Sequence, residues 1–248
     1  MRYFYTILGY LVVISVFAVN EDTPNLSFEN GDFEGWTLYE GDYYYDASTD
    51  SLKYVWTENP ASSRIKIMST VKGAMDPTIQ CAPKGEEFFI NPDGVPVVRL
   101  GIPNKSEGLF DRTGRTTPRC KQLNAKAERI EYKFKATENT SLLTYKFAFV
   151  LADPASQNNA HKGEELPQFI FRIKSINPTT GLEKAVNCGE YAVKVGDTSL
   201  ELNGSCALSS TNQGNNAKDY KYKNWTTGAI DLSKHIGKSR ARFNRCRI

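Results

Sequence analysis

The chain has 248 residues, with 31 Lys and Arg against 28 Asp and Glu and a net charge of +3 at pH 7. The two signs are interspersed, so the clustered basic face that nucleic-acid binding needs is absent and nucleic acid is excluded as a partner. Only two histidines are present, His161 and His235, and none of the five cysteines forms a Cys-x-x-Cys pair, so zinc-ligand spacing is missing too.

In chain order, "MRYFYTILGYLVVISVFA" reads as a secretory signal, residues 1–18. Arg2 is its cationic start, Ile7–Phe17 its apolar centre, and Val16-Phe17-Ala18 its cleavage region. The apolar run falls short of the roughly 20 residues a spanning helix needs, and no later segment is apolar enough to span. The reading predicts an exported chain with no membrane span after processing, located outside the cell or on its surface. Processing removes one arginine and no acid, which leaves a net charge of about +2 on about 230 residues, read as one domain over 19–248.

The next stretch, "NLSFENGDFEGWTLYEG" (residues 25–41), interleaves Phe28, Phe33 and Trp36 with Asp32, Glu34 and Glu40. Two readings stand. Asp32 and Glu34 can offer oxygens to a structural calcium ion while the rings stack on a sugar. Alternatively, the glycines mark turns and the aromatics belong to the core. In "GDYYYD", alternation puts Tyr43 and Tyr45 on one face as candidate ligand contacts and turns Tyr44 away.

"WTLY", "SRIKIMS", "EFFI" and "VPVVRLG" predict short strands, parted by long polar loops at 41–62 and 101–125. The second half is more regular. "AERIEYKFKA" alternates Ile130, Tyr132, Phe134 and Ala136 with Glu131, Lys133 and Lys135, a half-buried antiparallel strand. "SLLTYKFAFVLADP" sets Leu143, Tyr145, Phe147, Phe149 and Leu151 on one face. Its other face is nearly as apolar, which predicts a central strand. "PQFIFRIKSI", "EYAVKV" and "YKYKNWTTGAIDL" supply three more. No helical period persists beyond two turns, so the fold class is all-β, an antiparallel β-sandwich of jelly-roll type.

Between two of those strands lies "ADPASQNNAHKGEELPQF", which gathers Asp153, His161, Glu164 and Glu165 on one long connection. Long connections often carry function, and these four residues are candidate ligand contacts. The alternative is a solvated hairpin loop turned by Asp153-Pro154. No nucleophile elbow, His-Glu-x-x-His motif or phosphate-cradling glycine loop occurs, so the chain reads as a non-enzyme. In an exported protein cysteines default to disulfides. The preferred pair is Cys188–Cys206, followed by Cys81–Cys120, which leaves Cys246 unpaired.

"NLSFENGDFEGWT", "VVRLG", "AKAERIEYKF", "LTYKFAFVLADP", "LPQFIFRI", "NCGEYAV" and "YKNWTTGAIDLSKHIG" occur in an order that resembles the N-terminal jelly-roll module of secreted and gliding-motility-associated surface proteins of Bacteroidota, over residues 25–237. The opening phrase is also similar to carbohydrate-binding modules of galactose-binding-like fold. The resemblance implies a noncatalytic surface or adhesion role, with a surface glycan or an extracellular protein as ligand. Carbohydrate binding within a polysaccharide-degrading system and a ligand-free structural spacer are the alternatives. It places Asp153, His161 and Glu165 in the family's "D-P…H…E-x-P-x-F" loop. Residues 238–248, "KSRARFNRCRI", depart from the family's pattern, which predicts a truncated end that lacks the last strand and leaves a calcium site based on Glu34 incomplete.

Overall fold

A computed structural model of the chain describes residues 11–17, 25–46, 48–49, 51–68, 71–72, 74–75, 79–82, 89–91, 94–101, 126–152, 167–195, 204–208, 220–236, 240–243 and 246–247. Every sheet pairing among them is antiparallel, and the one helical piece is a single 3-10 turn, Ser233–His235.

The strands are β1 (Leu11–Phe17), β2 (Trp36–Asp46), β3 (Ser51–Glu58), β4 (Ile65–Ile67), β5 (Ala74–Met75), β6 (Ile79–Ala82), β7 (Phe89–Asn91), β8 (Val98–Leu100), β9 (Lys126–Lys135), β10 (Leu142–Ala152), β11 (Gln168–Ile176), β12 (Glu183–Lys194), β13 (Gly204–Leu208), β14 (Tyr220–Asp231), β15 (Arg240–Phe243) and β16 (Cys246–Arg247). One sheet runs β4-β8-β1-β10-β14-β13-β6. The other runs β12-β11-β15-β9-β2-β3, with β16 also paired to β11, and β5 and β7 form a separate two-stranded ribbon.

Hydrophobic alternation explains why the two large sheets face each other. On β10 the residues Leu143, Tyr145, Phe147, Phe149 and Leu151 are all buried, and β11 answers with Phe169, Phe171 and Ile173. The rings meet across the gap: Tyr145 stacks on Phe171 at 4.0 Å between centroids, and Phe147 on Phe169 at 5.1 Å. Each such aromatic, fully buried, contributes about 1.5–3 kcal/mol, and offset stacking adds about 0.5–1.5 kcal/mol. The fold is therefore an all-β sandwich, and β10 is central as its two apolar faces imply. Arg172 and Lys174 point outward from β11 and pair with Glu190 and Glu183 at 2.5 and 2.7 Å.

Three expectations are changed. The polar loop expected at 41–62 is largely a β-hairpin, because β2 continues to Asp46 and β3 returns from Ser51. Its tyrosines, valine and tryptophan have high strand propensity, which outweighs the glycine and aspartates. The divergent end is not a simple loss of structure either. Arg240–Phe243 lies between β11 and β9 and joins the two halves of the second sheet. Finally, Glu131 is buried despite its outward parity, because Arg129 beside it folds over the same face and pairs with it at 3.0 Å.

Candidate functional site

The opening loop resolves in favour of structure. Phe28 and Trp36 are buried, stacked at 4.5 Å, and the Trp36 indole donates to the Asn25 carbonyl at 2.9 Å. Asn25 organises the loop from within. Its side-chain amide donates to Asp32 Oδ1 (2.8 Å) and to the carbonyls of Asp32 (3.1 Å) and Glu34 (3.0 Å), while its Oδ1 accepts from the Asn30 N–H (3.0 Å). Asn25 takes a left-handed φ of 58°, a conformation that Asn tolerates better than most residues. Glu29 caps the same turn. Burial raises its pKa, but hydrogen bonds from the Ser27 hydroxyl and the backbone N–H groups of Asn25 and Ser27 outweigh this and hold the carboxyl below its usual range.

Asp32 and Glu34, the candidate cation ligands, are exposed, and Asp32 Oδ1 also accepts from the Glu34 N–H at 3.0 Å. Among the described residues no group of three or more His, Cys, Asp or Glu side chains is placed to hold a metal. Asp153, His161, Glu164 and Glu165 lie outside the described residues. Cys188 is exposed with a free thiol, and the expected Cys188–Cys206 bridge is not formed: Cys188 belongs to β12 of the second sheet, whereas Cys206 belongs to β13 of the first. The register sets Cys206 opposite Cys81 instead.

The hairpin that sequence reasoning missed builds the most distinctive surface. On β2 the positions 36, 38 and 40 face the other sheet, so 37, 39 and 41 share the outer face. Arg129 stands opposite Tyr39, and Trp56 opposite Gly41. The Arg129 guanidinium lies 3.9 Å above the Tyr39 ring and 4.7 Å from that of Trp56. Such cation–π contacts are worth about 0.5–1 kcal/mol each at exposed sites. Glycine at 41 makes this possible, since a Cβ there would stand 2.8 Å from Trp56 Cζ3. Tyr39 and Trp56 are half-buried, so part of each ring faces outward. Tyr43 and Tyr45, the predicted contacts, pair with positions 54 and 52 of β3 in the hairpin register.

Chemically, this face combines partly exposed aromatic rings with a guanidinium that pairs with the buried Glu131 carboxylate. The signal was present in "SLKYVWTE", whose Leu52, Tyr54 and Trp56 alternate with period two.

A second polar group sits inside the sandwich. Glu40 and Glu128 are register partners on the inward face, Arg64 pairs with Glu128, and the Ser62 hydroxyl donates to Glu40 Oε1 at 2.5 Å. Glu128 is fully buried and its Oε2 has no hydrogen-bond partner. Burial pushes its carboxyl pKa up against the pull of Arg64, and the nearby Glu40 charge adds to the rise. Arg64 thus serves Glu128 and Ser62 serves Glu40, which makes this a structural buttress under the outer face.

Compared with known protein families, with curated proteins and with solved structures, the chain has no match.

Proposed function

We propose that the protein is a noncatalytic binding or adhesion module of an exported protein, secreted or held at the cell surface, and that it engages its ligand through the outer face of β2, β3 and β9. The observation that carries this reading is the grouping of Tyr39, Trp56 and Arg129 on one face of the sheet. Tyr, Trp and Arg are the side chains that most often dominate recognition energy. Here a rigid sheet holds them, which limits the entropy lost on binding.

A surface glycan is the ligand class this chemistry favours. The rings offer apolar faces to the C–H side of a sugar, and the Arg129 guanidinium, itself paired with the buried Glu131, holds both rings in place. The ordered likeness to a surface jelly-roll module supports the same role, and the cationic start and apolar centre of residues 1–18 support export. A structural calcium ion at Asp32 and Glu34 is not needed for it.

The test passes the full-length protein, as exported by a secretory host, over insoluble polysaccharides and immobilised extracellular proteins. Retention on at least one polysaccharide is expected, with loss in Trp56→Ala. Absence of retention across the panel, or undiminished retention of a folded Trp56→Ala variant, overturns the reading in favour of a structural spacer.

A further inference from the structure

Leu11–Phe17 has two roles that exclude each other. Its register with β10 runs through seven pairs, from Leu11↔Val150 to Phe17↔Thr144, and its register with β8 through three, from Val12↔Leu100 to Ile14↔Val98. In the first sheet β1 is the link between β8 and β10. The same residues belong to the apolar centre of the export signal and run into its cleavage region, ahead of the cut after about Ala18. A segment removed during export cannot remain as an inner strand of the exported domain.

Its removal leaves a defined slot. Strands in a sheet stand about 4.8 Å apart, so β8 and β10 would face each other across about 9.6 Å, too far to bond directly. That width suits one extended chain and is tight for a helix, whose diameter with side chains is about 10–12 Å. Both flanks would present unpaired backbone groups, and leaving such groups buried and unbonded is costly. The slot's chemistry follows from the register. Positions 12, 14 and 16 lie opposite the buried Phe149, Phe147 and Tyr145. An occupant must therefore be apolar at every second residue and run antiparallel to β10.

We propose that the exported chain carries a strand-acceptor slot between β8 and β10, filled by an extended strand, apolar at alternate positions, from another polypeptide. This is strand addition, in which main-chain hydrogen bonds supply affinity and alternate side chains supply selectivity. The proposal rests on the export part of the function proposed above but not on the Tyr39–Trp56–Arg129 face, so each can fail without the other.

The experiment exports the full chain from a secretory host and reads its N-terminus by intact mass. The product is then titrated with a synthetic peptide of residues 10–18, flanked by lysines for solubility. A control peptide carries Val12→Asp, Ile14→Asp and Val16→Asp. The expected result is a product lacking residues 11–17 that binds one peptide per chain. At a peptide concentration about a hundred times Kd its Tm rises by roughly 5–10 °C, and the control produces no shift. If the product aggregates alone, refolding with the peptide recovers soluble protein and refolding with the control does not.

Retention of residues 11–17 in the exported protein overturns the proposal. So does a processed product that ignores the peptide, responds equally to the control, or fails to refold with either. Polysaccharide retention of the same product is scored separately and reports on the binding face alone.

Discussion

Replacing Gly228 by alanine tests the packing between the two sheets. Gly228 lies opposite Tyr145 in the β10–β14 register, and a Cβ there would stand 2.5 Å from Tyr145 Oη and 2.8 Å from its Cε1. The ring cannot retreat freely. It is 7% exposed and stacks on Phe171 of the opposite sheet at 4.0 Å and 17° between planes. Overpacking a filled core costs about 1–3 kcal/mol, while Gly→Ala within a strand recovers about 0.5–1 kcal/mol of backbone entropy. The net expectation is a loss of about 1–2 kcal/mol. With an m-value of about 1–3 kcal/mol/M, the urea midpoint falls by roughly 0.5–1 M. The diagnostic step repeats Gly228→Ala in a Tyr145→Leu background, where Oη, Cζ and Cε1 are gone. There the substitution should be neutral or slightly stabilising, a coupling of about 1–3 kcal/mol. Equal destabilisation in both backgrounds would refute the clash.

Other predictions follow from the same geometry. Asn25→Ala removes three donated hydrogen bonds and one accepted, all made by a buried side chain beneath an exposed loop, and should cost about 2–3 kcal/mol by urea melt; a loss under 0.5 kcal/mol would show that the loop is held by Phe28 and Trp36 alone. Burial holds the folded-state pKa of Glu128 above its ordinary value of 4.5, so its contribution is fully present below pH 4.5 and is lost as pH rises through the folded value. Melting curves should therefore show Glu128→Gln gaining on the wild type as pH increases from 4.5 to 8, and the opposite trend would mean that Arg64 outweighs burial. Non-reducing peptide mapping of the exported protein should join Cys81 to Cys206, because antiparallel partners have Cα atoms about 4.5–5.5 Å apart, within the range of about 4.4–6.8 Å that disulfides span. Recovery of a Cys188–Cys206 peptide would contradict the register.

Strands β9, β10 and β11 were legible in the sequence because each carries a run of at least three alternating apolar residues on one face, and period two leaves little freedom of register. The hairpin of β2 and β3 was not, because Tyr43, Tyr44 and Tyr45 occupy both parities and Gly41, Asp42 and Asp46 read as loop punctuation. Its outer aromatic face depends on Arg129, more than 70 residues beyond Trp56, and a single sequence carries no local sign of such a long-range pairing. Phe28 and Trp36 could be either core or ligand contacts until Asn25 was seen to tie the loop closed over them. The run Leu11–Phe17 shows a deeper ambiguity: an apolar, β-branched heptad satisfies the chemistry of a leader and of a buried strand equally. The Glu40–Glu128 pair follows from parity, yet the arrival of Arg64 from a distant segment does not.

The central claim, that the outer face of β2, β3 and β9 is the binding surface, is tested most directly by one comparison on the retaining polysaccharide. Dissociation constants would be measured for the wild type, Tyr39→Ala and Trp56→Ala, each first shown to melt as a folded protein. Loss of a dominant contact of at least about 2 kcal/mol corresponds to roughly a thirtyfold weaker Kd. Weakening of that order in both variants is the predicted result, and wild-type affinity in two folded variants would contradict the account.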